Sequence, residues 1–260
     1  MQDKLKINLI QSNTIWKDIS KNIQNIQQKI NQISEETDLI ILPEMFSTGF
    51  VIEPEEIAET MNGKSINWMQ QIACKKNCAI TGSLIIKENN NYYNRLVFIE
   101  PSGKIKFYDK KHLFSHVGER NIYTAGSIKK IIEYKGWRIA AFICYDLRFP
   151  VWSRNTENYD IALYVANWPK PRINAWNSLL KARAIENICY TIGVNRVGTD
   201  GNKMEYIGHS QIINPQGNSI KKSTVTTEDI ISTTLYKAEI LTNRTNFKFL
   251  DDRDKFTFQN

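Results

Sequence analysis

The apolar residues of this chain come in short bursts that stop abruptly at polar ones. LIIL at 39–42 ends in Pro43 and Glu44, and IAAFI at 139–143 ends in Cys144, Tyr145 and Asp146. Runs this short fall far below the roughly 18–20 residues of a membrane-spanning helix. They have strand length, and apolar side chains at successive rather than alternate positions mark strands buried on both faces. In segment 17–33, Ile19, Ile23, Ile26, Ile30 and Ile33 recur at spacings of four, three, four and three, which lays one buried apolar stripe along a helix.

Read in the same way, 4–11 is a first strand, 65–76 a helix, and 79–87 and 92–99 a strand pair across Asn89, Asn90 and Asn91. A strand at 104–108 leads into an irregular stretch over 109–127. Strands at 137–143 and 161–165 and helices at 147–155 and 174–187 follow, then strands at 189–194 and 206–213 and one more after the turn Pro215-Gln216-Gly217. Helix and strand alternate through the first two thirds and strands dominate the last third, so the class is α/β or α+β around a mixed sheet. No repeat and no Pro-rich or Ser/Gly linker divides the 260 residues, which are read as a single domain, 1–260.

Composition narrows the classes. With 42% apolar and 23% charged residues the chain is neither disordered nor collagen-like. Its formal charge of +7 comes from 34 Lys+Arg against 27 Asp+Glu, but the cations are scattered, with small clusters around 104–111, 129–130 and 221–222. No stripe for nucleic acid is read. The opening MQDKLKINLI carries early charge and no small-residue cleavage site, and the cysteines (Cys74, Cys78, Cys144, Cys189) contain no CxxC pair. Free thiols, a cytoplasmic setting and no membrane segment are expected.

Reactive side chains stand where strands end, the place where α/β proteins gather a site. Glu44 follows LIIL-Pro, Lys110 follows the 104–108 strand in FYDKKHLF, and Cys144 closes RIAAFIC at its polar edge rather than inside the run. Taken singly none of them is decisive: Glu44 reads first as a solvated loop carboxylate, Lys110 as a surface lysine, and Cys144 as readily as a packed thiol. Together they supply a base, a cation for an oxyanion and a nucleophile, which is what amide hydrolysis needs. Rival motifs fail. Gly63-Lys64-Ser65 has Ala58 where a phosphate loop needs its first Gly, His112 and His116 are followed by no zinc-protease Glu, and GxSxG is absent. No metal site is read, and Cys74, Cys78 and Cys189 are taken as packing residues.

LPEMFSTGF at 42–50, YDKKHLF at 108–114 and ICYDLRFP at 143–150 resemble, in order and spacing, the three signature segments of the nitrilase superfamily of carbon-nitrogen hydrolases. The similarity continues through ANWPKPRINAWNSLLKARAIEN at 166–187, GVNRVGTDGN at 193–202 and GHSQIINPQG at 208–217. Over 144–202 the chain is most similar to the bacterial omega-amidase branch. The resemblance implies a four-layer α-β-β-α sandwich, subunits paired as a homodimer, no cofactor, and a small-molecule amide substrate. It implies hydrolysis of 2-oxo dicarboxylic acid monoamides, 2-oxoglutaramate and 2-oxosuccinamate, to the 2-oxo acid and ammonia through a Cys thioester.

By the same resemblance Glu44 is the general base, Lys110 rather than Lys111 the catalytic lysine, and Cys144 the nucleophile. Glu119, in GERNIYTAG, is a second glutamate beside the lysine. The backbone N–H of Tyr145 joins Lys110 as donor to the oxyanion. Arg172 is the candidate for the substrate carboxylate and Trp168 for a pocket wall, whereas Arg148 is read as a structural partner of Asp146. Another linear amide or an N-carbamoyl amine is the alternative substrate, and a catalytically silent interaction protein is the alternative class. The presence of Glu44, Lys110 and Cys144 together argues against the latter.

Overall fold

Strands that are apolar on both faces must be covered twice, and the chain achieves this with two sheets set face to face and helices outside them. The computed structural model describes residues 3–258. The first half builds β1 (Lys4–Gln11), α1 (Ile19–Asn31), β2 (Leu39–Ile41), α2 (Lys64–Lys76), β3 (Ala79–Glu88), β4 (Asn91–Ile99) and β5 (Ile105–Asp109). Then come α3 (Glu119–Ile122), β6 (Ile131–Tyr134), β7 (Trp137–Ile143), α4 (Pro150–Ser153), β8 (Ile161–Ala166), α5 (Ile173–Asn187) and β9 (Tyr190–Asn195). The chain continues through β10 (Val197–Thr199), β11 (Glu205–Ile207), β12 (Gln211–Ile213), β13 (Ser219–Lys222), β14 (Asp229–Tyr236) and α6 (Lys237–Asn246).

The first sheet has the order β14-β1-β2-β3-β4-β5 and the second β13-β12-β9-β8-β7-β6, while β10 and β11 form a separate ribbon. Strands β1, β2 and β3 run parallel, as do β7, β8 and β9, and the outer strands join them antiparallel. Side-chain alternation explains the layers. Ile40 and Leu42 cluster with Ile23, Ile26 and Ile30 of α1 and with Ile66, Met69 and Ile72 of α2. Leu39 and Ile41 belong instead to the core shared with Ile139, Ala141, Leu163 and Val194 of the second sheet. Trp176, Leu180 and Ala184 bring α5 onto that same cluster, which completes a four-layer α-β-β-α sandwich.

Helix α5 lies so close to β9 that a Cβ built on Gly193 would stand 2.5 Å from Leu180 Cδ1 and 2.6 Å from Trp176 Cζ2. Gly193→Ala is therefore expected to destabilise the fold by about 1–3 kcal/mol through overpacking. A lower urea midpoint at unchanged slope would register it.

Several boundaries differ from the sequence reading for local reasons. The helix read over 147–155 is instead a 3-10 turn, Cys144–Arg148, followed by α4, because Pro150 has no N–H to continue a helix and starts a new one. The strand read over 206–213 splits into β11 and β12 at Gly208 and His209, both left-handed with φ of 76° and 62°. The irregular stretch 109–127 contains α3. Strands do not dominate to the end, since α6 closes the fold with only Ile240 and Asn243 buried. Cys78 and Cys189 are buried but Cys74 is exposed on α2, so it is not a packing residue. No helix among the described residues is long and apolar enough to cross a membrane.

Candidate active site

Pro43 stops the β2 segment, and the turn that follows, with Met45 at a left-handed φ of 43°, swings Glu44 into the interior. The Met45 N–H is held by Ser83 Oγ at 2.9 Å. Lys110 comes directly after β5, its N–H bonded to the Asn94 carbonyl at 3.0 Å. Cys144 comes directly after β7 and is itself left-handed, with φ of 44°. Glu119 opens α3. The ends of strands from both sheets thus converge with one short helix.

Lys110 Nζ lies 3.0 Å from Glu44 Oε1 and 3.1 and 3.0 Å from Glu119 Oε1 and Oε2. Lys110 is 1% exposed and both carboxylates 0%. Glu44 Oε1 also accepts from Asn94 Nδ2 at 2.7 Å, and Oε2 from the Asn167 N–H at 2.7 Å. Ser83 Oγ donates to Asn94 Oδ1 at 2.8 Å and so fixes which way that amide faces. The Phe114 N–H donates to Glu119 Oε2 at 2.6 Å. Cys144 Sγ stands 3.8 Å from the Asn167 carbonyl, and the Glu44 carboxylate is close enough to act on the thiol electrostatically. Glu44 therefore faces the thiol as well as the ammonium it binds.

Burial and the nearby Glu44 carboxylate push the Cys144 thiol well above its usual range, so it rests as S–H. Burial alone would lower Lys110, but Glu119 and Glu44 outweigh it and hold the amine charged. Glu119 is raised, chiefly by burial, which Lys110 opposes while Glu44 adds to it. A preformed thiolate is absent; the proton has to leave as the sulfur attacks, and a carboxylate is in place to take it.

The model of the carbon-nitrogen hydrolase family matches residues 6–242. This chain belongs to that family. The hydrolase is 43% identical to Omega-amidase YafV of Escherichia coli strain K12, over 97% of this chain and 98% of that protein. It is 34% identical to 2-oxoglutaramate amidase of Bacillus subtilis strain 168, over 82% of this chain and 84% of that protein. Among solved structures it is similar to XC1258 from Xanthomonas campestris, described as a CN-hydrolase superfamily protein with an arsenic adduct in the active site. That match has a TM-score of 0.96 at 38% identity, covering 99% of this chain and 100% of that one.

Above Cys144 and Lys110 the hydrolase opens a pocket walled by Phe50, Phe114, Trp168, Met204 and Tyr206. Asn195 brackets the Trp168 backbone, accepting from its N–H at 2.8 Å and donating to its carbonyl at 2.9 Å. Trp168 Nε1 in turn donates to the Arg172 carbonyl at 2.7 Å. Tyr145 lines the same pocket, and as the second residue of a helical turn its N–H needs no partner within that turn.

Arg148 and Arg172 also line the pocket. Their guanidinium carbons sit 5.0 Å from the Trp168 ring and 5.1 Å from the Phe114 ring. At that distance the ring face attracts each cation. The expected pairing of Arg148 with Asp146 does not form, because Tyr108, His112 and the Ile143 N–H already fill that carboxylate.

Asn94 and Asn167, which contact Glu44, were passed over by the sequence reading, and Arg148 was read as a structural residue rather than a pocket one. Asn94 left a signal: an amide inside the apolar and aromatic strand NYYNRLVFI, now 0% exposed. Asn167 left another, standing directly after IALYVA as Glu44 and Cys144 stand after their own strands. Among the described residues no group of three or more His, Cys, Asp or Glu could hold a metal ion.

Proposed function

We propose that this hydrolase is an omega-amidase that converts monoamides of small 2-oxo dicarboxylic acids, 2-oxoglutaramate and 2-oxosuccinamate, to the 2-oxo acid and ammonia. The observation that carries the reading is Cys144 beside a Glu44 carboxylate that also grips a buried ammonium, at the foot of a pocket lined by the guanidinium groups of Arg148 and Arg172, which form no ion pair among the described residues. The names of the E. coli and B. subtilis relatives support the substrate class.

Glu44 takes the thiol proton while Sγ attacks the amide carbon, and the carbonyl oxygen becomes an oxyanion. Lys110 Nζ and the Tyr145 N–H are its donors; losing one such donor typically costs about 3–4 kcal/mol. Protonated Glu44 gives its proton to the amide nitrogen, the C–N bond breaks, and ammonia leaves a thioester on Cys144. Glu44 then removes a proton from water, which attacks the thioester. As the C–S bond breaks, the proton returns to sulfur. Glu119 keeps Lys110 charged and aimed throughout. Arg172, with Arg148 beside Trp168, receives the distal carboxylate as a planar fork would. The apolar wall covers the carbon chain between.

The whole chain, 1–260, acts as one domain in this reading, supported by the single apolar cluster that both sheets share. Pairing with a second copy is supported by large exposed apolar side chains on and after the outer helices, among them Ile185, Leu241, Phe247 and Phe249. Four unpaired cysteines fit a reducing, cytoplasmic setting.

A coupled ammonia assay over 2-oxoglutaramate, 2-oxosuccinamate, uncharged short amides, N-carbamoyl amines and nitriles tests the assignment. The 2-oxo acid amides are expected to exceed uncharged amides of equal length by about 10²-fold in kcat/KM, the scale of one lost charge-assisted contact. Turnover confined to uncharged amides or N-carbamoyl amines would refute it.

A further inference from the structure

We propose that Asp146 is a positioning residue for the reaction: its carboxylate ties the backbone that carries Cys144 to the backbone that carries Lys110. The inference rests on the reading of Cys144 as nucleophile and Lys110 as oxyanion donor, and it gives a buried acid outside that group a task.

Asp146 is 0% exposed and pairs with no cationic Lys or Arg among the described residues. It accepts from four donors instead. Oδ2 takes the Ile143 N–H at 3.0 Å and the Tyr108 hydroxyl at 2.7 Å. Oδ1 takes the His112 N–H at 3.0 Å and His112 Nδ1 at 2.8 Å. A carboxylate can only accept, so the His112 ring carries a proton on Nδ1. That ring is stacked on Phe149 with centroids 3.7 Å apart and planes 4° apart. The Tyr108 hydroxyl is the second knot, accepting from the Lys111 N–H and from Trp152 Nε1, each at 3.1 Å.

The donors lie next to the reacting residues and come from different sheets. Ile143 immediately precedes Cys144 at the end of β7; Lys111 and His112 immediately follow Lys110 at the end of β5. A non-glycine residue is strained in the left-handed region, and Cys144 is one, with φ of 44°. The bond from Asp146 back to the Ile143 N–H closes the turn in which that conformation sits. The same carboxylate fixes the opposite strand end, so the separation of Sγ from the ammonium is set by one buried group. Catalysis is sensitive to such separations: a misplacement of about 1 Å costs on the order of 10²-fold.

Asp146→Asn tests this, because whichever way the amide turns its NH2 meets backbone N–H donors. With the amide that wild type hydrolyses fastest, kcat per titrated site is expected to fall about 10²-fold with KM within about threefold. Tyr108→Phe, which removes one strut and the Lys111 tether, is expected to lower kcat about tenfold by the loss of one such contact. The rate of acrylamide addition to Cys144, followed by mass, should fall in the same order. A merely structural role would shrink the fraction of titratable sites and leave the rate per site alone. Per-site rates within threefold of wild type in both variants, or losses confined to KM, would overturn the proposal; if Asp146→Asn does not fold, Tyr108→Phe decides. Cys144→Ala in the same assay separates the failures. Activity there refutes the nucleophile, whereas an inactive Cys144→Ala beside a normal Asp146→Asn refutes only the positioning role.

Discussion

Cys144→Ala is expected to abolish amide hydrolysis, lowering kcat by about 10⁴- to 10⁶-fold, while changing stability by less than about 1 kcal/mol. Cys144 is only partly buried at the edge of the core, its hydrogen bond to the Asn167 carbonyl is a weak one at 3.8 Å, and the change removes a single sulfur atom. Little packing is therefore lost with it. Glu44→Gln should approach the same floor, because the thiol rests protonated and its proton then has no acceptor. The double variant should be no worse than either single one, as holds for residues that act as a unit. The thiol's raised pKa adds a signature: alkylation of Cys144 by a neutral reagent should show no rise around pH 8.5, where an unperturbed cysteine ionises. A rate that climbs there as for a free thiol, measured by mass across the pH series, would contradict the burial and charge argument.

Lys110→Met should damage both activity and stability. The oxyanion loses its charged donor, for which about 10²- to 10³-fold in kcat is the usual cost. The fold loses the ammonium that sits between two carboxylates, each 0% exposed and each 3.0 Å from it. Removing one partner of such a buried ionic group costs about 3–5 kcal/mol. The deficit should depend on pH. Without the cation, one carboxyl is forced to keep a proton, extending the upward shift that burial already gives Glu119. A carboxyl whose folded pKa is raised contributes stability below that pKa and loses it as pH rises through it. The gap in melting temperature to wild type should thus be smallest near pH 5 and widen toward pH 8. A gap constant across that range would mean that the two carboxylates do not face each other.

Glu44, Lys110 and Cys144 left a local trace that the family resemblance turned into a candidate site, and the structure brings the three together. Each stands where an apolar strand ends, and parallel or adjacent strands deliver such ends to one edge of the sandwich. LIIL by itself marked only a buried strand; the four layers came from the family resemblance, and the structure shows why they fit, with Leu39 and Ile41 facing the second sheet and Ile40 and Leu42 facing the helices. Arg148 shows where local reading stops. Two residues from Asp146 in sequence, it looks like that acid's partner, yet the acid turns inward to Tyr108 and His112 from the other sheet while Arg148 turns out onto Trp168. Asn94 illustrates the same limit: its role depends on a strand pairing that brings β4 beside β5 and the Glu44 turn. Helix α6 escaped notice because KAEILTNRTN carries almost no apolar stripe and is held by polar contacts such as Asn214 Nδ2 to Glu239 at 2.8 Å.

The most direct test of the catalytic account is the mass of Cys144 during turnover. The hydrolase is mixed with 2-oxoglutaramate, quenched in acid over the first turnovers, and mapped by peptide mass. The account predicts a transient acyl group on the peptide containing Cys144, formed together with ammonia and lost as the 2-oxo acid appears. Ammonia released in step with the acid, with no acyl mass on Cys144 at any time sampled, would contradict it.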